Sequence, residues 1–153
     1  MSTHAEKRPL PYTPEQLFAL VADVEKYPEF LPWCVGARIR SQDKELIVAD
    51  LVIGYKVFRE RFTSKVKLNK PDRIDVEYSD GPFRYLNNHW KFEHNEDGST
   101  TIDFYVDFEF RSRLMQTMIG AVFNEAVKRM VHAFEQRAHD LYGDPPHDPH
   151  GDT

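Results

Sequence analysis

Two different periods of apolar and polar residues divide this chain of 153 residues. The longest regular stretch runs from Leu114 to Tyr142, where apolar residues recur at intervals of three and four. This spacing predicts one face of an α-helix about 43 Å long. Ser112 is a suitable N-cap, and Gly143, followed closely by prolines, ends the helix. A helix of this length needs a broad partner for its apolar face.

A period of two, typical of strands, fills most of the remaining chain. Between Ile102 and Phe110 every second residue is apolar, which predicts a half-buried strand. The same alternation recurs, between short polar turns, in the segments 35–40, 45–57, 58–69, 74–78 and 85–94. Residues 3–11 predict a further strand at a sheet edge, because Pro9 and Pro11 cannot donate ladder hydrogen bonds. The short links between strands predict antiparallel pairing.

Two short helical segments are predicted after the first strand. Thr13 and Gln16 form a capping box, and Tyr12 and Leu17 form a hydrophobic staple at the start of the first helix. The segment 27–34 follows, and its two prolines prevent a long helix. We predict a short helical turn there, bent over the sheet.

The order of these elements predicts an α+β helix-grip fold. In it, a curved antiparallel sheet of about six to seven strands wraps around the long C-terminal helix, with two short helices after the first strand. This architecture often leaves a cavity between the helix and the sheet. One domain, residues 1–143, contains every element, and the polar, proline-rich segment 144–153 is predicted to be disordered.

Composition excludes several classes of protein. The net charge of −5 argues against general binding of nucleic acid, so no DNA partner is expected. The single cysteine, Cys34, precludes an internal disulfide and fits a reducing cytoplasm. Residues 1–8 show no secretory signal, and no stretch approaches the roughly 20 apolar residues of a membrane span. We therefore expect a soluble cytoplasmic protein that contacts membranes only at their surface.

Five segments of the chain closely resemble one known family. They begin at Tyr27, Val52, Gly81, Val106 and Ala133, and read YPEFLPWC, VIGYKVFRERFTSKV, GPFRYLNNHWKF, VDFEFRSRLMQ and AFEQRAHDLYG. In this order they resemble the coenzyme Q-binding START-domain family over nearly all of residues 3–143. The resemblance implies a START-like lipid-binding domain with a lipid-sized cavity.

The resemblance leaves three classes of function open. Mitochondrial members are implied to bind ubiquinone and to support respiration without catalysing a reaction. Bacterial relatives are described as toxins that stop ribosomal subunits from joining, and more distant relatives on this fold are polyketide cyclases. No targeting extension precedes the resembling region, so we expect a bacterial member, and the toxin alternative stays open.

Signatures of catalysis are few. There is no glycine-rich phosphate loop, no HExxH and no CxxC. His89 and His94 should face opposite sides of one strand, with His89 exposed, and His147 and His150 lie in the tail, a weak setting for a metal. Cys34 has no neighbouring His or Lys to lower its thiol pKa, so an inert, buried thiol is favoured. We therefore expect no catalytic residue, no metal and no cofactor.

The inward apolar residues are the candidate ligand site, although an ordinary core is the alternative for each. Several methionines on one helix face suit a wall that adapts to a flexible ligand. Burial of an isoprenoid tail contributes about 0.8 kcal/mol per CH₂ group. Candidate hydrogen-bond donors to a quinone head are Trp90, Tyr78 and Asn88. The predicted cavity lining is Phe30, Leu31, Trp33, Leu51, Ile53, Tyr78, Trp90, Phe104, Phe108, Met115, Met118, Ile119, Val122 and Met130.

Two further segments have open interpretations. Residues 30–35 either close the cavity mouth as a lid, where Trp33 could contact lipid, or pack the helices onto the sheet. Residues 56–73 contain seven basic residues against two acidic ones. That charge is either a solvated strand face or a site for anionic lipid headgroups or ribosomal RNA. The candidate basic patch is Lys56, Arg59, Arg61, Lys65 and Lys67.

The sequence favours a non-catalytic carrier or chaperone of ubiquinone, or a similar polyprenyl lipid, that supports respiratory electron transport. The polyprenyl tail would lie between the sheet and the C-terminal helix, and the protein could work at the cytoplasmic face of the inner membrane. The alternative is a translation inhibitor that binds the large ribosomal subunit. A polyketide cyclase or dehydratase is a weaker third interpretation.

Overall fold

The computed structural model describes residues 2–55 and 58–143. The predicted disordered tail and Lys56 lie outside these ranges. The described elements, in chain order, are β1 Ser2–Leu10, α1 Pro14–Ala22, a 3₁₀ helix Val24–Glu29, β2 Cys34–Gln42, β3 Leu46–Tyr55, β4 Phe58–Asn69, β5 Arg73–Asp80, β6 Phe83–His94, β7 Thr100–Phe110 and α2 Arg113–Tyr142.

The strands form one antiparallel sheet in the order β1-β7-β6-β5-β4-β3-β2. Each strand from β2 to β7 pairs with its neighbours in sequence, because short turns connect them. Among the described strands, β1 pairs only with β7, which confirms the edge position predicted from its prolines. With α2 packed along the inner face of the sheet, the helix-grip fold is confirmed.

Helix α1 begins with the capping box that the sequence predicts. Gln16 N donates to Thr13 Oγ1 at 3.1 Å, and Thr13 N donates to Gln16 Oε1 at 2.9 Å, so the capping box is present. The helical turn predicted within 27–34 lies earlier in the chain, in the 3₁₀ helix Val24–Glu29. Val24 anchors this helix in the core with 2% of its surface exposed.

Helix α2 has the predicted ends. Ser112 Oγ accepts from Met115 N at 3.2 Å, and Gly143 N donates to the carbonyl of His139 at 2.8 Å. Gly143 has φ of 77°, a left-handed conformation that favours glycine. Two side-chain hydrogen bonds then tie this end to the region around α1. Tyr12 OH donates to the carbonyl of Gly143 at 3.0 Å, and Tyr142 OH donates to the carbonyl of Gln16 at 2.8 Å.

Candidate functional site

A partly open cavity of about 310 Å³ lies between the inner face of the sheet and α2. Alternation along β3 to β7 turns every second side chain toward it, while residues of α2 between Met115 and Phe134 cover it. Ligand pockets in proteins usually measure about 300–1,000 Å³. The cavity is therefore large enough for a small organic molecule, at the lower end of this range.

Most of the residues predicted to line the cavity do so. The structure places eleven of the fourteen in its wall, namely Leu31, Trp33, Leu51, Ile53, Trp90, Phe104, Phe108, Met115, Ile119, Val122 and Met130. The sheet and the helix thus contribute to one continuous site, as the two periods of the sequence predicted. That these residues contact a ligand stays a prediction.

Phe30 and Tyr78, also predicted to line the cavity, are not in its wall. The Phe30 ring packs edge-on against Phe134, with centroids 5.2 Å apart, and the Arg137 guanidinium lies 5.0 Å from the Phe30 centroid. Phe30 therefore joins the 3₁₀ helix to α2. The Tyr78 ring packs against Phe83 at 5.4 Å, and its hydroxyl accepts from Phe83 N at 3.2 Å. Aromatic neighbours that sequence spacing cannot reveal hold both rings outside the wall.

Met118 is the third predicted residue outside the cavity wall. The residues of α2 that cover the cavity include Met115, Ile119, Val122 and Ala126. At about 100° per residue, Met118 lies about 60° around the helix from Met115, on the side away from Ile119. The apolar stripe of the sequence is therefore wider than the strip of helix that faces the cavity.

Strand β4 supplies lining residues that the prediction missed. Glu60, Phe62, Ser64 and Val66 occupy every second position of this strand, and all four face the cavity. The signal was the period of two, but it was obscured because these positions include a charged residue and a small polar one. Glu60 is the one lining residue, among those described, with an acidic side chain.

Among the three candidate donors to a ligand head group, Asn88 remains free to act. Tyr78 is outside the wall, and Trp90 Nε1 already donates to Asn88 Oδ1 at 3.2 Å. Asn88 Nδ2 in turn donates to the carbonyl of Tyr105 at 2.8 Å. Since an indole N–H can only donate and a carbonyl can only accept, these partners determine the orientation of the Asn88 amide. These two hydrogen bonds leave one N–H of Asn88 Nδ2 available to a ligand.

The segment after the 3₁₀ helix both packs against α2 and contributes to the cavity wall. Phe30 packs the helices together, whereas residues 31–34 line the cavity. Trp33 has φ of 67°, which is uncommon for a bulky residue, and its carbonyl accepts from Gly54 N at 2.8 Å. This hydrogen bond ties the segment to β3. A role as a lid stays a prediction.

Cys34 lies in the cavity wall as a free, partly buried thiol. Burial is the largest influence on its pKa and raises it, against a smaller lowering by a backbone hydrogen bond with Gly36. A raised pKa leaves less thiolate at neutral pH, in keeping with the inert thiol expected from the sequence.

The candidate basic patch lies on the opposite, outward face of the sheet. Arg59, Arg61, Lys65 and Lys67 are exposed along β4. Lys67 Nζ is 2.7 Å from the Glu77 carboxylate of β5, which neutralises part of the patch. Lys56, the fifth predicted member, is outside the described ranges.

A buried carboxylate lies beside the basic patch. Asp50 on β3 is only 3% exposed. It accepts hydrogen bonds from Thr63 Oγ1 at 2.5 Å and from Arg40 Nε at 2.8 Å. The Thr63 hydrogen bond, followed by that of Arg40, lowers the pKa of Asp50 against the opposing effect of burial. This network joins β2, β3 and β4 on the outer face.

His89 differs from its prediction. His89, expected to be exposed, is partly buried and stacks on Tyr105 with ring centroids 5.2 Å apart. Burial and then the Arg73 charge lower its pKa.

Across residues 2–55 and 58–143, no group of three or more His, Cys, Asp and Glu side chains is placed to hold a metal ion. Within the same ranges, no helix has both the length and the apolar character to cross a membrane.

Comparison with known proteins extends this description. The profile of the family described as polyketide cyclase / dehydrase and lipid transport matches residues 10–135. The chain is 38% identical over 136 residues to the ribosome association toxin RatA of Rickettsia prowazekii (strain Madrid E), covering 86% of this chain and 92% of that protein. It is 34% identical over 144 residues to the mitochondrial coenzyme Q-binding protein COQ10 homolog B of Xenopus laevis, covering 92% of this chain and 59% of that protein.

A solved structure with the same fold has comparable sequence similarity. The solution structure of the 18 kDa protein CC1736 from Caulobacter crescentus is 38% identical and superposes with a TM-score of 0.75. The match covers 94% of this chain and all of that protein, 100% of its length. The similarity therefore extends over the whole helix-grip domain.

Proposed function

Because the chain belongs to the family of polyketide cyclases, dehydrases and lipid transport proteins, we propose that it binds ubiquinone, or a similar polyprenyl quinone, between the sheet and α2. The observation that carries this proposal is the partly open cavity of about 310 Å³, whose wall is almost entirely apolar. The name of the Xenopus relative, a coenzyme Q-binding protein, supports the choice of a quinone.

The volume of the cavity determines how such a ligand would fit. A pocket at the lower end of the usual range holds a drug-sized molecule. We therefore place the quinone ring and the first isoprenoid units inside, and the rest of a longer tail at the mouth beside Leu31 and Trp33. Each buried CH₂ group contributes about 0.8 kcal/mol before entropy costs. Met115 and Met130 give this wall flexible side chains that adapt to the tail.

A carrier role, without catalysis, is the form of this proposal that the wall supports. A cyclase or dehydratase needs acid and base groups that converge on the reacting atoms. Glu60 is the one acidic side chain among the described lining residues, and the Asn88 amide, although it has an N–H to spare, is neither a general acid nor a general base. The protein would then carry or shield ubiquinone for respiratory electron transport, at the cytoplasmic face of the inner membrane.

The first experiment is to identify the ligand carried by the protein from its own host. Native mass spectrometry of the purified protein, followed by organic extraction, is expected to find ubiquinone in near-stoichiometric amount. Stripped protein incubated with ubiquinone-containing vesicles is expected to regain that mass. Protein that is empty from the host and takes up no quinone from vesicles would contradict the proposal.

The basic patch supports a second candidate function, binding to the large ribosomal subunit. Arg59, Arg61 and Lys65 are exposed on the outer face of β4, where phosphate groups could reach them. The Rickettsia relative is named a ribosome association toxin. The pairing of Lys67 with Glu77 reduces the net charge of this surface. We therefore place this function second to quinone binding.

Charge reversal separates the two functions because they use opposite faces of the sheet. If the protein binds ribosomes, the triple variant Arg61→Glu, Lys65→Glu and Lys67→Glu should lose any inhibition of subunit joining and retain quinone binding. Reversal of Lys128 and Arg129, exposed on α2, is the matched control. Under the quinone proposal, wild type and both variants bind quinone equally and leave subunit joining unchanged.

A further inference from the structure

The hydroxyl of Ser64 is an unpaired polar group in the wall of an apolar cavity. Ser64 is 0% exposed, lies among the lining residues, and its Oγ has no hydrogen-bond partner among the residues that the structure describes. Its cross-strand neighbours are Ala49, which offers no polar side-chain atom, and Tyr78, whose hydroxyl bonds to Phe83 N. A buried hydroxyl without a partner is unfavourable. A ligand oxygen that enters the cavity would supply that partner.

Asn88 is the second polar group in the wall with unused hydrogen-bonding capacity. Trp90 and Tyr105 determine its orientation, so its amide cannot flip to suit different ligands. One N–H of Nδ2 stays available after the hydrogen bond to Tyr105 is counted. A donor held in one orientation selects for an acceptor at one place in the cavity.

The register of the sheet gives the distance between these two groups. Val66 pairs with Val76 and Val76 pairs with Asn88, so Asn88 is two strands from Val66, and Ser64 is two residues before Val66 on β4. Standard strand spacings then separate the backbones of Ser64 and Asn88 by about 12 Å. This distance leaves room between their side chains for a flat ring with an acceptor oxygen at each end.

Building on the proposed function, we infer that Ser64 Oγ and Asn88 Nδ2 donate hydrogen bonds to two opposed oxygen atoms of the ligand. A para-quinone carries its two carbonyl oxygens on opposite sides of one ring. The site would therefore select a quinone over an apolar molecule of the same length, and the two side chains would orient the ring while the apolar wall holds the tail.

Two probes with the same tail test this inference: a decyl-tailed ubiquinone analogue and decylbenzene, which lacks ring oxygens. Ser64→Ala should weaken binding of the quinone about five- to tenfold, the usual value of one hydrogen bond, and leave decylbenzene binding unchanged. Because the Ser64 hydroxyl has no protein partner, the stability of the empty variant should be unchanged or higher. If Ser64 only packed against its neighbours, its replacement would affect the binding of both probes alike.

Asn88→Leu, of similar shape, should likewise weaken quinone binding alone, and the double variant should bind both probes with similar affinity. Thr63→Ala is the matched control, since Thr63 bonds to Asp50 on the outer face. It should lower stability without changing the ratio of the two affinities. Equal loss of affinity for both probes in Ser64→Ala, or none for either, would overturn the assignment while quinone binding stands. A wild-type protein that binds neither probe would instead overturn the proposed function itself.

Discussion

The two halves of α2 use one apolar stripe for different purposes. In the C-terminal half, residues 127–142, the side chains of Val131, Phe134 and Ala138 are at most 5% exposed. In the N-terminal half, residues 113–126, Ile119 and Val122 are only partly buried because they face the cavity. The cavity wall continues into the C-terminal half as far as Met130 and Phe134, so the same periodicity supplies the wall up to Phe134 and close packing beyond it.

The difference comes from what lies opposite each half. Phe134 forms the last part of the cavity wall on α2, and its ring meets Trp90, Phe30 and Tyr27 edge-on, with centroids 4.9, 5.2 and 5.6 Å apart. Hydrogen bonds from Tyr12 and Tyr142 hold the end of this half against the region of α1. The N-terminal half instead spans the concave sheet. Side chains in the C-terminal half should therefore mainly determine stability, and those in the N-terminal half should mainly determine binding.

The largest expected effect is on stability, from Phe134→Ala. Removal of a buried phenylalanine ring typically costs about 3–5 kcal/mol, and three aromatic neighbours would lose their partner here. Equilibrium unfolding in urea measures this loss. Leu141→Ala, at a residue 52% exposed in the same half, is the control and should change stability by less than about 0.5 kcal/mol. A loss below about 1 kcal/mol for Phe134→Ala would show that this half is not closely packed.

A matched pair of valines compares the two halves directly. Val131→Ala removes two methyl groups from a closed core and should cost about 2 kcal/mol. Val122→Ala removes the same groups from the cavity wall and should cost less than about 1 kcal/mol, because a void is already present. The midpoints of urea unfolding curves with equal m-values give the two changes in unfolding free energy. Equal costs at the two positions would remove the distinction between the halves.

Filling the cavity from the N-terminal half of α2 should weaken ligand binding. Ala126 faces the cavity, whereas Ala121 is exposed on the same helix. Ala126→Trp should weaken quinone binding at least tenfold, or about 1.4 kcal/mol, and Ala121→Trp should leave the affinity unchanged. Titration with the decyl-tailed quinone measures both variants. Unchanged affinity in a folded Ala126→Trp variant would place the quinone elsewhere.

The smallest effect concerns the thiol of Cys34 in the cavity wall. Because burial raises the pKa of Cys34, its thiolate fraction at pH 8 is below that of a free thiol. Alkylation by iodoacetamide should therefore be slower than for glutathione, and its rate should continue to rise above the pH at which glutathione reaches its maximum. Quinone should slow the reaction several-fold by covering the thiol. Mass spectrometry follows this rate, and a reaction as fast as that of glutathione would show that the mouth is open to solvent.

Much of the fold was predictable because its signals are local. The caps at Thr13 and Ser112 and the stop at Gly143 act within a few residues of each helix end, and the structure has all three. The alternation in β7 is equally local, because successive side chains of any extended strand point to opposite faces of the sheet. Even the edge position of β1 followed from two prolines that cannot donate to a ladder.

The candidate site was predictable only in part, because its boundary depends on contacts between distant elements. Phe30 and Tyr78 pack against other aromatic rings but not in the cavity wall. Phe30 contacts Phe134, and Tyr78 contacts Phe83. Ser64 was missed because a single serine in a strand has no recognisable signal. Its importance depends on the absence of a partner, which is visible only when its cross-strand neighbours are known.

The sequence by itself determined the elements, their order, the face of each strand or helix that turns inward, and the family. These properties depend on the periodicity and chemistry of residues close together in the chain. Only the tertiary structure decided that a volume of about 310 Å³ remains between the sheet and α2. A cavity is the space enclosed by the backbone minus the volume of the side chains that fill it. That difference is set jointly by residues far apart in sequence, so no local pattern contains it.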